Sequence, residues 1–179
     1  MSRRLLMIFL TLTVVGGALT TSGSLSKEFL TDKEIEKIQE AQGIADRVKI
    51  YLEAAALRLK AAQDRLQGLE PKTGDPLELF APEEMLDGYY RILGSVMLNV
   101  DDAFQKPGPN QQKVVAALKS LKKSTEKALG DLEILKKIAE EKRKEELWNL
   151  VNKSIDITNA AHEGAEFGLS KESSPPAKK

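Results

Sequence analysis

Apolar and small side chains recur every three or four residues at Ile35, Ile38, Ala45, Val48, Leu52, Ala55, Leu59, Ala62 and Leu66. A chain spaced this way buries one face only as an α-helix, because a half-buried strand needs alternation with period two. Thr31-Asp32-Lys33-Glu34 stands before the run in the S/T-x-x-E order of a capping box. In that motif hydroxyl and carboxylate each satisfy a backbone N–H that the helix start leaves without a partner. The pattern predicts one helix over 32–67, roughly 54 Å long at ~1.5 Å per residue. Gln42 interrupts the stripe, and the step from Ala45 to Val48 shifts its register.

Gly68, Pro71, Gly74, Pro76 and Pro82 then break the chain repeatedly, so this stretch reads as a connection. A second helix is predicted over 82–105. Proline suits its first turn, where the missing N–H would be unpaired in any case, and Glu83 and Glu84 meet the positive helix end. Lys106-Pro107-Gly108-Pro109 stops it. Asn110 caps a third helix over 111–138, with Val114, Leu118, Leu121, Ala128, Leu132 and Leu135 inward. Residues 140–146 are all charged. An unbroken helix from Asn110 to Phe167 would reach roughly 87 Å, too long for one domain, which places a reversal between Ile138 and Lys144. The fourth helix, 144–167, carries Leu147, Val151, Ser154, Ile155, Thr158, Ala161 and Ala165, with Gly168 as its C-terminal cap. Residues 170–179, with Pro175 and Pro176, are expected to form a disordered tail.

The fold class that follows is all-α, an antiparallel four-helix bundle (up-down-up-down) over residues 25–169. Charge suggests its neighbours. From Pro76 to Gln105 there are six acids and one base, and from Gln111 to Lys137 three acids and seven bases, so helices two and three are expected side by side. Helix two has an unusually wide apolar circumference: Met85, Tyr90, Ile92, Met97, Leu98 and Phe104 flank the stripe Leu86, Tyr89, Leu93, Val96, Val100 and Ala103. Helices apolar nearly all round are generally buried ones, and the alternative is a surface for another protein or a second copy, with Met85, Tyr90, Ile92 and Met97 on it.

Ahead of this unit, Arg3 and Arg4 precede an apolar run over 5–15 and then Gly16, Gly17, Ala18 and a small polar stretch. That is the order of a signal peptide, residues 1–24, cleaved between 18 and 24. The apolar stretch ends by Leu19, short of the ~20 residues that span a bilayer, so no stable membrane anchor is expected after cleavage. Ser2-Arg3-Arg4-Leu5-Leu6 partly resembles a twin-arginine export signal but lacks the usual following lysine, which favours general secretion. The expected location is exported, periplasmic or secreted. The chain has no cysteine, so stability in such a compartment comes from packing rather than disulfides. Cleavage removes two of 27 bases and none of 27 acids, leaving a net charge of −2 that does not favour nucleic acid.

No pattern reaches the specificity of a catalytic motif, and the chain reads as a non-enzyme without cofactor. His162 is the only histidine, so a di-iron carboxylate bundle with its two Glu-x-x-His pairs is ruled out. His162 with Glu166, Asp156 or Glu163 lacks convergent partners for a single metal. Exported bundles of the b-type cytochrome kind hold haem between one Met and one His, which makes Met97 and His162 the haem candidates; CxxCH is absent. A carrier of haem or a small apolar ligand within the bundle, near Tyr89, Tyr90, Met97, Trp148 and His162, is the alternative to an interaction protein. Ser95, Ser120 and Ser154 have no triad around them, and Glu83-Glu84, Asp101-Asp102 and Glu145-Glu146 point about 100° apart on a helix. Lys113, Lys119, Lys122, Lys123 and Lys127 lack the interleaved aromatics of a nucleic-acid surface. Leu30-Thr31-Asp32-Lys33-Glu34 resembles the Leu-Thr-x-x-Gln motif of small periplasmic helical chaperones, departs at its last residue and has no second copy. Helix capping accounts for the same residues, and no family is assigned on them. The signal, the absence of catalytic patterns and the wide apolar circumference of helix two lead to an expected role as a structural, adaptor or chaperone-like interaction module.

Overall fold

The computed structural model describes residues 29–106 and 111–173, and all regular structure among them is α-helical. The expected leader, Pro107-Gly108-Pro109, the expected cap Asn110 and the expected tail from residue 174 lie outside the described residues. Five helices are present in the described part rather than four: α1 (Asp32–Glu40), α2 (Ile44–Leu66), α3 (Pro82–Gln105), α4 (Gln111–Glu141) and α5 (Glu145–Ser173).

The predicted helix 32–67 is broken. Ala41 (ψ 117°) and Gly43 (φ −154°, ψ 165°) are extended, and the Gly43 carbonyl accepts the Arg47 N–H at 3.0 Å to start α2. An uninterrupted helix would carry Gln42 on the apolar stripe and place glycine in its interior, at ~1 kcal/mol relative to alanine. The break exposes Gln42 and resets the register, so that Val48, Leu52, Ala55, Leu59 and Ala62 face the core. α1 buries no residue fully.

α2 packs against α3 and α4, and α5 packs against α4 and α3, whereas α3 and α4 touch least among the neighbouring pairs. The bundle is therefore two hairpins, α2/α3 and α4/α5, laid side by side. Gly94 lies beside Ile157, and residues 97–105 lie beside 161–168, so α3 and α5 run in the same direction. This corrects the expected placement of helices two and three next to each other. α4 directs Lys122 to Glu166 of α5 at 2.7 Å, and only beyond its end does Lys144 reach Glu83 of α3, at 3.4 Å. Exposed ion pairs contribute ~0–1 kcal/mol each, whereas each enclosed large apolar side chain contributes ~1.5–3 kcal/mol. Burial of Leu86, Ile92, Leu93, Val96, Leu132, Leu135 and Leu147 thus chose the neighbours.

The α4–α5 reversal closes on Arg143 in the left-handed region (φ 52°). The Arg143 N–H bonds the Glu140 carbonyl at 3.1 Å and the Lys144 N–H bonds that of Ala139 at 3.3 Å, the paired closure of a Schellman motif. Gly168 is not the cap of α5, which continues to Ser173. It is buried against Leu118 of α4, whose Cδ1 would lie 2.9 Å from an added Cβ. The same residue type serves close helix approach here rather than a helix end, and residues 170–173 are helical rather than part of a tail. No helix among the described residues is long and apolar enough to cross a membrane.

Candidate functional site

α3 meets different surroundings along its length. In its first half Met85, Leu86, Tyr89, Ile92 and Leu93 are enclosed. Met85 and Ile92 therefore cannot belong to an interaction surface as expected, because α2 and α5 flank α3 from two sides and both residues face the core. Tyr90 is 42% exposed, and Met97 is half-buried. In the second half Leu98 is 74% exposed, and Phe167 of α5 is 61% exposed.

Between those two lies an open groove of about 570 Å³. Met97, Leu98 and Phe104 form its α3 wall; Ala161, Gly164 and Phe167 form the α5 wall; Leu118 and Leu121 of α4 close its floor. Small residues on α5 leave room that larger ones would fill. The polar groups in the lining, Asp101 and Gln105, are bonded to each other, Gln105 Nε2 donating to the Asp101 carboxylate at 2.7 Å.

Met97 and His162 are not brought together as haem ligands. Met97 lines the groove, while His162 turns toward α4, with Nδ1 3.1 Å from Thr125 Oγ1 and Nε2 3.7 Å from Glu166. Tyr89, Trp148 and Tyr90 do not converge on a common cavity either: Tyr89 is in the core, and Trp148 lies beside Ala139 and Arg143 at the α4–α5 turn. The cavity beside Tyr89, lined by Leu59, Leu93, Thr125 and Ala128, measures about 60 Å³, room for a few waters rather than a haem. Among the described residues no three His, Asp or Glu side chains are grouped to hold a metal.

Two buried polar joints serve the fold. The Tyr89 hydroxyl lies 2.7 Å from Thr158 Oγ1, which in turn donates to the Ser154 carbonyl at 2.5 Å. Burial pushes the Tyr89 phenol up to about 12, with the Thr158 hydrogen bond opposing and the Asp131 charge adding, so it stays protonated and tethers α3 to α5. At the α1–α2 joint Arg58, only 2% exposed, reaches both Glu34 oxygens at 2.8 Å through Nη1 and Nη2, and Nη1 also donates to the Ala54 carbonyl at 2.9 Å. Glu34 accepts the Thr31 N–H at 2.7 Å as well, completing the capping box. Burial alone would raise the Glu34 carboxyl, but the Arg58 and Thr31 hydrogen bonds and the Arg58 charge together hold it below its ordinary range. Gly88 lets this guanidinium lie against α3, since an added Cβ would sit 3.2 Å from Arg58 Cδ and Nε.

No family model, no curated protein and no solved structure matches the chain. The groove is thus read from its own geometry. Leu98 and Phe104 stand out in the sequence as apolar excess on helix two, whereas nothing there marks the α5 wall, since Ala161 reads as a core position, Gly168 as a cap and Gly164 carries no signal. Arg58 was missed as well, its one signal being a basic residue on the buried side of an otherwise apolar run.

Proposed function

We propose that this protein is an exported, non-enzymatic helical bundle that works as a structural, adaptor or chaperone-like module, binding a segment of another protein in the α3–α5 groove. The observation that carries the reading is the pairing of Leu98 and Phe167, both large, apolar and mostly exposed, on either side of an apolar groove of about 570 Å³. Contiguous exposed apolar surface of this kind commonly marks an interaction site. Export is supported by Arg3 and Arg4 followed by an apolar run and a small-residue zone.

A groove of this size also falls within the ~300–1,000 Å³ range of small-molecule pockets, which favours a second reading, a carrier of an apolar ligand. Such pockets orient their ligands with converging polar groups, and here Asp101 and Gln105 are engaged with each other. The neutral dye Nile red tests the groove directly. It should brighten and shift to the blue on the folded protein, and the Leu98→Gln/Phe167→Gln variant should lose that signal while keeping its helical circular dichroism. Dye binding that the double variant leaves unchanged would remove the reading. Native mass spectrometry of protein from its own host separates the carrier, which retains a bound mass.

A further inference from the structure

The walls of the groove select among possible occupants. Residues 97–105 of α3 and 161–168 of α5 carry four carboxylates, Asp101, Asp102, Glu163 and Glu166, and neither Lys nor Arg. Two of them are paired with lysines on the surface: Asp102 lies 2.5 Å from Lys106 and Glu166 2.7 Å from Lys122. Lys171 is drawn over the Phe167 ring, 5.2 Å from its centroid, at one end. Asp101 is held by a neutral amide, and Glu163 is exposed one helical turn before Phe167 on α5, outside the lining itself. The groove is therefore apolar within, with one carboxylate on each side outside any ion pair among the described residues, Asp101 on α3 and Glu163 on α5, and one cation, Lys171, at the Phe167 end.

That charge decides between candidates of similar apolarity. A second copy docked through the same face would bring Asp101 and Glu163 against their own equivalents, since a two-fold contact pairs a surface with itself. An anionic membrane surface would meet the same repulsion. A helix with a basic face would instead set its cations against both carboxylates while its apolar side chains entered between Met97, Leu98, Phe104 and Phe167. The α3 wall is about 12 Å long at ~1.5 Å per residue, which accommodates two turns of such a helix and anchors at i, i+3 or i+4, and i+7. Resting on the interaction reading above, we infer that the groove receives a positively charged amphipathic helix of another protein.

The test uses a fluorescein-labelled helical peptide of about 14 residues, with leucines at i, i+3, i+4 and i+7 and lysines on the other face, and a twin with glutamate for lysine. By fluorescence anisotropy at low ionic strength the lysine peptide should bind at least ~10-fold more tightly than its twin, and salt at about 0.5 M should narrow the gap several-fold. Leu98→Gln/Phe167→Gln should abolish binding of both. Asp101→Lys/Glu163→Lys, which alters two exposed positions, should invert the preference. Equal affinity for the twins, or a preference that survives the charge reversal, overturns the inference. So does a dimer in light scattering that excludes the peptide, or binding to anionic vesicles through the same two apolar residues. Nile red binding without charge preference removes this inference and leaves the groove reading standing; absence of Nile red binding removes both.

Discussion

The two halves of α3 share a similar apolar composition and a buried inner face that includes Val96 and Val100, and they differ on the outer face. Over 82–93, Phe29 and the Arg58 guanidinium, held by Glu34 of α1, lie against Gly88, and Met85, Leu86, Tyr89, Ile92 and Leu93 are enclosed. Over 94–105 the same helix presents Leu98 to solvent beside a groove that reaches Leu118 and Leu121. Part of the difference lies in the helix itself, because the outer arc that Leu98 occupies carries Glu84, Asp87 and Arg91 in the first half, polar side chains that meet water there. α1 exists as a separate element because the chain breaks at 41–43, and it lends its carboxylate to the end of the bundle that contains Gly88. At the other end, where Gly164 and Gly168 keep the α5 wall low, no described element performs that service.

Truncating one side chain in each half separates the enclosed face from the exposed one. Ile92→Ala should lower unfolding free energy by about 3 kcal/mol in urea denaturation, through lost burial and a residual cavity. Glu34→Gln follows at about 2 kcal/mol, because it leaves the enclosed Arg58 without its counter-ion, discounted for the partial exposure of the pair. Adding Arg58→Met should restore part of that loss, since no charge is then stranded, and a double-mutant cycle measures how much.

Acid should reproduce the Glu34 loss reversibly. The folded carboxyl holds its proton less tightly than the unfolded one, whose reference value is 4.5. The pair's contribution is thus complete above that value and is lost as the pH falls through the lower folded value. Stability measured from pH 6 downward should therefore drop below about 4.5 more steeply in the wild type than in Glu34→Gln. Smallest of all, Leu98→Ala should change stability by no more than about 0.5 kcal/mol, because its side chain is already in water. A loss comparable to that of Ile92→Ala would mean that the outer face of α3 at Leu98 is covered after all.

Much of this was legible in the sequence, and the remainder failed for identifiable reasons. Thr31 and Glu34 announced the start of α1 because a capping box is local. That Glu34 also neutralises Arg58, 24 residues away, is a tertiary fact with no local trace. Gln42 and the register slip after Ala45 marked the break between α1 and α2, but a periodic stripe on both sides of it favoured one long helix. Net charge placed α3 beside α4 wrongly, since rim lysines follow whichever acids burial brings near them. Periodicity identified α3 as apolar over most of its circumference, but it cannot say which arcs are covered, and this is why Met85 and Ile92 were grouped with Tyr90 and Met97. Gly168 could equally end a helix or admit a neighbour, and only the approach of Leu118 decides it.

The chain has no cysteine, so a single introduced thiol reports its own surroundings without interference. Within α3 the inner arc at Met85 is closed, as it is at Val96 and Val100, and the outer arc at Leu98 is open beside the groove; the rates at which Met85→Cys and Leu98→Cys react with a thiol reagent under native conditions separate the two. The Leu98→Cys thiol should react within about tenfold of a free thiol, and the Met85→Cys thiol should be slower by several orders of magnitude, reacting only when the bundle opens. Comparable rates at the two positions, whether both fast or both slow, would contradict the account.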